Sequence, residues 1–472
     1  MAEIARLKSQ RKGGFIMKRE REWKKGMTVI TFLMILVGAF IFGSGVRSAQ
    51  PAGQEIPKEI RIGDTFSHTG PYAAFGFCKF GMEAAVEDIN KQGGIYLKKY
   101  GKKLPVKWII RDTQSDMLKV APLTEDLILN EKVQVLGGHL EPPPMRQGMA
   151  MMADKYKIPT VVGVGPFESW MGIREAAGKP FKYTWTIGVS IGTPPSKDVF
   201  CYSNPGYLLI PTWLGLLGRY ADKINKKVAL SALDDPDGRA WYMAFTGLMK
   251  EKGFDCYGAD KQFGMFPPGT TDFSSIIGDW KKAGCELLWA NCPGPDFGTL
   301  WRQCRTLGFK PKMVLVTRGA IYYRDIAAWG GNLPNGVGME LYWDPSIKNA
   351  HGIGNTTPQS LAERFYKKTK EPLAQGIAFD YFIAQILFDS IERAGTLESE
   401  ALLKAISETD LKTTIYGRAQ FDKATQHCRH PAQIGQWRKT NKPGGWEAPC
   451  VFSYNDFQPA TADYIFPMPY ED

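Results

Sequence analysis

From Glu59 onward, apolar segments of strand length alternate with segments of helical period, and no other feature of the chain restricts its fold as strongly. Residues 60–66 read as a short apolar strand. Residues 75–90 place Cys78, Met82, Ala85 and Ile89 on one helical face, and Gly93-Gly94 supplies the left-handed stop that helix ends favour. The pattern continues through strand 106–111, helix 116–130, strand 133–137, helix 145–156 and strand 158–163. Strands joined through whole helices cannot pair as hairpins. They require a parallel sheet covered by helices, an α/β fold.

A Pro/Gly/Ser-rich stretch, 192–211, interrupts the rhythm, which then restarts. Strands 227–233, 255–263, 286–291 and 313–317 alternate with helices 238–252, 272–283 and 297–307. Two such units predict two lobes. Helices 358–370, 375–394 and 399–407 have no strand between them, so they are expected to pack on the first lobe's sheet.

Charge removes one class of partner. Lys and Arg number 59 against 48 Asp and Glu, but residues 1–48 hold ten of the basic residues and three of the acidic ones. The other 424 residues carry a net charge of only +4. A nucleic-acid binder keeps its basic stripe on the folded part, so no nucleic acid is expected. The basic N-terminal segment has the layout of a secretory signal peptide: Lys18, Arg19, Arg21, Lys24 and Lys25, an uncharged run over 26–46, and small residues around Val46-Arg47-Ser48-Ala49. Cleavage is expected after Ser48. The uncharged run is 21 residues, long enough for a membrane span, so an uncleaved anchor is the alternative. The first cysteine is Cys78, so no lipidated N-terminal cysteine is expected, and the compartment reads as periplasm. All eight cysteines lie in the exported part, too few for a disulfide scaffold. Cys428 and Cys450 flank a polar loop and are the one pair expected to bridge, while Cys78 and Cys285 read as buried thiols.

The motifs of catalysis fail on inspection. Gly188-Val189-Ser190-Ile191-Gly192 fits the nucleophile elbow, but Thr193-Pro194-Pro195 forbids the helix that must follow Ser190. His427, Cys428 and His430 with Cys450 match no structural zinc spacing and read as solvated loop. Asp234-Asp235-Pro236-Asp237-Gly238 lacks the alternating ligands of a calcium loop and reads as a strand-end turn entering a helix. No enzyme, cofactor or metal site is expected.

Two blocks decide the family: Thr69-Gly70-Pro71-Tyr72-Ala73-Ala74-Phe75-Gly76, and Ala84-Ala85-Val86-Glu87-Asp88-Ile89-Asn90-Lys91-Gln92-Gly93-Gly94-Ile95. They resemble the opening of the type I periplasmic binding proteins, the leucine/isoleucine/valine-binding family of transport receptors. The resemblance continues in Gly137-Gly138-His139-Leu140, Asp272-Phe273-Ser274, Leu300-Trp301-Arg302-Gln303-Cys304-Arg305-Thr306-Leu307-Gly308 and Phe379-Asp380, spanning roughly 59–440. It implies two Rossmann-like α/β lobes with parallel sheets, joined by three crossovers and closing over a small ligand. Lobe one would be 59–187 with 345–420, and lobe two 188–344 with 421–472.

The resemblance also locates a cleft. Amino-acid binders of the family hold the ligand carboxylate with Ser or Thr and backbone N–H groups after the third strand. Here that loop reads Glu141-Pro142-Pro143-Pro144, where prolines donate no N–H and Glu141 repels a carboxylate. The loop after the fourth strand, Gly163-Val164-Gly165-Pro166, offers no hydroxyl. Where the family pairs an acidic residue with the ligand's ammonium, this chain has Thr317-Arg318-Gly319. A guanidinium grips a carboxylate and repels an ammonium. The expected ligand therefore carries an anion without an α-amine, anchored by Arg318. Phe75 matches an aromatic ligand-contact position. Tyr72, Trp170, Trp241 and Tyr242 are further candidates for an aromatic wall suited to a flat ligand. His139 and Arg146 flank the proline loop, the latter as readily facing solvent. The resemblance thus implies the binding component of an ABC importer, delivering a small organic acid to a permease and its ATPase. A branched-chain amino acid or amide binder is the alternative, and a ligand sensor with a separate signalling partner is another.

Overall fold

The computed structural model describes residues 56–470 apart from 71, 179–180, 192–203 and 373–374. The leader and its cleavage site, and Cys201, lie outside the described residues. In chain order the main strands are β1 (Ile60–Phe66), β2 (Val106–Asp112), β3 (Val135–Glu141), β4 (Thr160–Val164), β5 (Thr184–Gly188), β6 (Lys227–Leu233), β7 (Leu287–Cys292), β8 (Met313–Arg318), β9 (Gly338–Leu341), β10 (His427–Arg429), β11 (Gln433–Gln436) and β12 (Cys450–Ser453). The helices are α1 (Lys79–Lys91), α2 (Met117–Leu129), α3 (Pro144–Tyr156), α4 (Phe167–Ala176), α5 (Leu209–Gly218), α6 (Pro236–Glu251), α7 (Ser274–Ala283), α8 (Gly294–Thr306), α9 (Tyr323–Trp329), α10 (Pro358–Thr369), α11 (Gly376–Ala394) and α12 (Ser399–Ser407).

The first sheet is parallel throughout, in the order β10-β5-β4-β3-β1-β2. Every residue of β3, β4 and β5 is buried, as a parallel sheet covered on both faces requires. The second sheet runs β6-β7-β8-β9-β11-β12, with the short strands Asp255–Cys256 and Met265–Phe266 both pairing with β6. It is parallel as far as β9 and antiparallel from there to β12. This is the two-lobed α/β architecture that the alternation and the resemblance led to.

Helix α11 packs on β3 and β4 of the first sheet, on α1 and on α12, as expected for helices with no strand between them. Its contact with α1 depends on Gly81: a Cβ there would lie 1.8 Å from the carbonyl oxygen of Ile377. The small residue lets two helix backbones approach where any side chain would hold them apart.

Several expectations change. The segment around His427 is no solvated loop but a buried strand of the first sheet, with the His427 ring stacked on Phe167 at 3.8 Å. His430 packs against Tyr342, Phe379 and Tyr416. A run rich in His, Cys and Arg looks polar in sequence, yet its neighbours bury it. Cys428 and Cys450 sit in different sheets and are not bridged to each other, so the expected bridge is absent. Cys78 and Cys285 are buried free thiols. Because β10 belongs to the first sheet and β11 to the second, the chain crosses between lobes at residues 430–432, beyond the boundary expected after 420. Among the described residues, no helix is long and apolar enough to cross a membrane.

Candidate functional site

The carboxyl ends of the parallel strands of the two sheets face one another across a narrow cavity. Its first-lobe wall comes from Phe75, from Leu140, Glu141 and Pro142 at the end of β3, and from Gly165, Pro166 and Val189 just beyond β4 and β5. The second lobe contributes Asp237 and Trp241 from α6, Arg318 at the end of β8, Ile321, and Glu340 and Tyr342 on and after β9. Open α/β sheets bind ligands at this edge, where strand ends leave loops and helix N-termini free to point at a small molecule.

Arg318 is already engaged. Its Nη1 donates to Asp235 Oδ2 at 2.8 Å and to Asp237 Oδ2 at 3.3 Å. Both aspartates belong to the turn that starts α6. Asp235 caps the helix by accepting the Gly238 N–H at 2.7 Å, and Asp237 lies in the first turn, where the helix dipole favours negative charge. Burial disfavours the guanidinium's charge, but the two aspartates outweigh it and hold the Arg318 pKa above its usual value. Burial in turn pushes Asp237 up to about 6 against the pull of Arg318. Among the described residues, Nε and Nη2 of Arg318 have no acceptor, so that edge of the fork is open.

The backbone of Arg318 adopts φ 61°, and its N–H donates to Glu340 Oε1 at 2.6 Å. Glu340 Oε2 is buried with no hydrogen-bond partner. Burial pushes this carboxyl up to about 8, with the Arg318 N–H and Tyr342 pulling the other way. Near neutral pH it is therefore largely protonated and able to donate as well as accept.

On the opposite wall, Glu141 Oε1 accepts the Ser67 N–H at 2.6 Å, while Oε2 lies 3.7 Å from Arg146 Nη1 and has no hydrogen-bond donor. Behind it sits a buried charge cluster. Arg146 donates to the Thr65 and His139 carbonyls, both at 2.6 Å, and pairs with Asp64 at 3.3 Å. Burial lifts Asp64 to about 7 despite that arginine. His139 Nδ1 meets Asp380 Oδ2 at 2.7 Å. Burial opposes the imidazolium, yet Asp380, Glu141 and Asp64 together keep the His139 pKa above its usual value.

The predicted site residues thus fall into two groups. Phe75, Glu141, Trp241 and Arg318 line one cavity, and Tyr72 stands close enough to Arg318 to feel its charge. His139 and Arg146 do not line it: both are fully buried behind the wall, so neither the cleft-facing histidine nor the solvent-facing arginine is realised. The pairing register of β3 slips between Gly138 and Leu140, and His139 at the slip packs inward against Asp380. Gly163 packs against Leu140, and Gly165 and Pro166 line the cavity instead. Trp170 sits in a separate apolar cluster with Phe167 and Phe181, and the Tyr242 hydroxyl donates to the Phe263 carbonyl inside lobe two. The Ser190 hydroxyl donates to Glu168 Oε1 at 2.5 Å. Sequence reasoning missed Asp235, Asp237, Glu340 and Tyr342 as cleft groups. The acidic turn at 234–237 was visible, but nothing local linked it to Arg318. The charge inversion expected from Thr317-Arg318-Gly319 is therefore partial, because acidic groups persist beside the guanidinium.

Residues 59–442 match the periplasmic binding protein family. A Leu/Ile/Val-binding protein homolog from Brucella abortus is 22% identical over 409 residues, 83% of this chain and 92% of that protein. The structure resembles a solute binding protein of an ABC transporter from R. palustris, solved in complex with 4-hydroxybenzoate, with a TM-score of 0.64 and 20% identity over 85% of this chain and 98% of that one. It also resembles a branched-chain amino acid transporter substrate binding protein from Streptococcus pneumoniae in complex with isoleucine, with a TM-score of 0.61 and 17% identity over 84% of this chain and all (100%) of that one. With two α/β lobes, a cavity at their sheet ends and a match over most of its length, this chain belongs to the type I periplasmic binding proteins, in the leucine/isoleucine/valine-binding family.

Proposed function

We propose that the protein is the periplasmic ligand-capturing component of an ABC importer, and that its ligand is a small aromatic carboxylic acid. The supporting observation is the pairing of groups across the cleft. The second lobe offers the open edge of the Arg318 guanidinium, and the first offers Glu141 Oε2, a buried oxygen without a donor. The rings of Phe75, Trp241 and Tyr342 line the same cavity. An anion at one end, a flat apolar body and a hydrogen-bond donor at the other end satisfy all three. The neighbour from R. palustris binds a molecule of that description.

Capture needs no reaction. A ligand touching both lobes stabilises the closed arrangement over the open one, and the closed form is what a permease and its ATPase would recognise. The carboxylates of Asp235 and Asp237 favour one second reading, a branched-chain amino acid whose ammonium they would receive.

A thermal-shift panel separates the two readings. A ligand at 100 times its dissociation constant stabilises by about 2.7 kcal/mol, a shift of a few degrees for a chain of this size. Benzoate and 4-hydroxybenzoate should raise Tm, while leucine, isoleucine, valine and their amides should not. The opposite pattern moves the assignment to amino acids.

A further inference from the structure

Strand β9 separates two cavities. Successive side chains of a strand point to opposite faces. Glu340 and Tyr342 face the interlobe cleft, and Met339, Leu341 and Trp343 face the other way. On that side lies a cavity of about 570 Å³, within the range of small-molecule sites. Both lobes build it: Trp437 and Trp446 come from the second, and Tyr366 on α10 and Gln375 at the start of α11 from the first.

The lining has a definite chemistry. Trp343 donates its indole N–H to the Ile415 carbonyl at 2.9 Å, and Trp437 donates to the Ala320 carbonyl at 2.7 Å. With their donors occupied, these indoles offer only carbon surface. The lining cation, Lys442, is paired with Glu447 at 2.5 Å, and Asp344 accepts the Ser346 N–H at 2.8 Å. Among the described residues Asp344 has no ion-pair partner, so the lining disfavours an anion, and aromatic faces favour a flat partner.

We propose that this cavity is a second ligand site, taking a small, flat, uncharged aromatic molecule, and that its occupancy is coupled to the cleft through β9 and Gln375. Gln375 Oε1 accepts the Tyr342 N–H at 2.5 Å, and its Nε2 donates to the Glu340 carbonyl at 3.1 Å. Glu340 and Tyr342 are cleft residues, and Ile321 borders both cavities. A molecule that touches both lobes here favours one lobe separation over others. By linkage, it and the cleft ligand alter each other's affinity by the same factor.

Indole is the probe, added to the purified protein and followed by titration calorimetry and by soaking into crystals. One indole should bind, with density between Leu341 and Trp446. Leu341→Trp, which fills the cavity from a side chain facing away from the cleft, should weaken binding at least tenfold. Phe75→Ala, which opens the cleft, should change it less than twofold. If Leu341→Trp does not fold, Trp446→Ala serves in its place with at least a threefold loss. Absence of saturable binding overturns the proposal. So does the reverse pattern, with binding lost in Phe75→Ala and kept in Leu341→Trp.

Discussion

The backbone N–H of Arg318 donates to Glu340 Oε1 while the Arg318 guanidinium reaches the other way, to Asp235 and Asp237. Holding a long side chain at φ 61° costs on the order of 1–3 kcal/mol. The hydrogen bond and the ion pairs offset that cost. The two aspartates fix the direction in which the open edge of the fork points.

Removing the cation exposes this arrangement. Arg318→Ala leaves two carboxylates side by side without their cation, and loss of one member of a largely buried charge cluster costs up to about 3–5 kcal/mol. Adding Asp235→Asn and Asp237→Asn removes the repulsion. Urea unfolding of the triple variant should recover more than half the loss. Purely additive losses would show that the three side chains act independently.

Glu340 predicts a pH dependence of stability. Its pKa in the fold is about 8, above the 4.5 of an ordinary glutamate, so the folded state binds the extra proton between those values. The stabilisation is complete below about pH 4.5 and is lost as pH rises toward 8. Glu340→Gln keeps an acceptor for the Arg318 N–H but cannot ionise. The variant should flatten the fall in unfolding free energy between pH 6 and 8, by up to ~1.4 kcal/mol per pH unit. An unchanged slope would mean that Glu340 is ionised in the fold.

Two helical glycines should respond in opposite directions. Gly81→Ala drives a methyl to 1.8 Å from the Ile377 carbonyl oxygen and should destabilise by about 1–3 kcal/mol or more, despite alanine's better helix propensity. Gly172 on α4 is exposed, and a Cβ there meets nothing within 4 Å. Gly172→Ala should stabilise by up to about 1 kcal/mol. Equal responses in urea unfolding would contradict the close α1–α11 approach.

Local pattern was enough for the elements whose signal is local. β1 and β6 form over the residues read as strand, and helix 399–407 forms as α12. The strands β5, β9, β10 and β11 were not anticipated, since three to five residues containing Gly, Gln, His or Arg become strands only when a distant partner pairs with them. The same reason divides the site. Phe75, Glu141 and Arg318 follow strand ends or a family block, and so were legible. Asp235 meets Arg318 across 83 residues, and His139 meets Asp380 across 241. No spacing rule reaches that far, so one carboxylate was read as a turn and one histidine was placed in the cleft.

The proposed function rests on the open edge of Arg318 receiving a ligand carboxylate. Isothermal titration of 4-hydroxybenzoate and of leucine into the wild-type protein and Arg318→Lys tests it most directly, because lysine keeps the charge and loses the fork. 4-Hydroxybenzoate should bind at least a hundredfold more tightly than leucine, and Arg318→Lys should weaken it at least tenfold. Tight leucine binding, or 4-hydroxybenzoate affinity indifferent to Arg318→Lys, would contradict it.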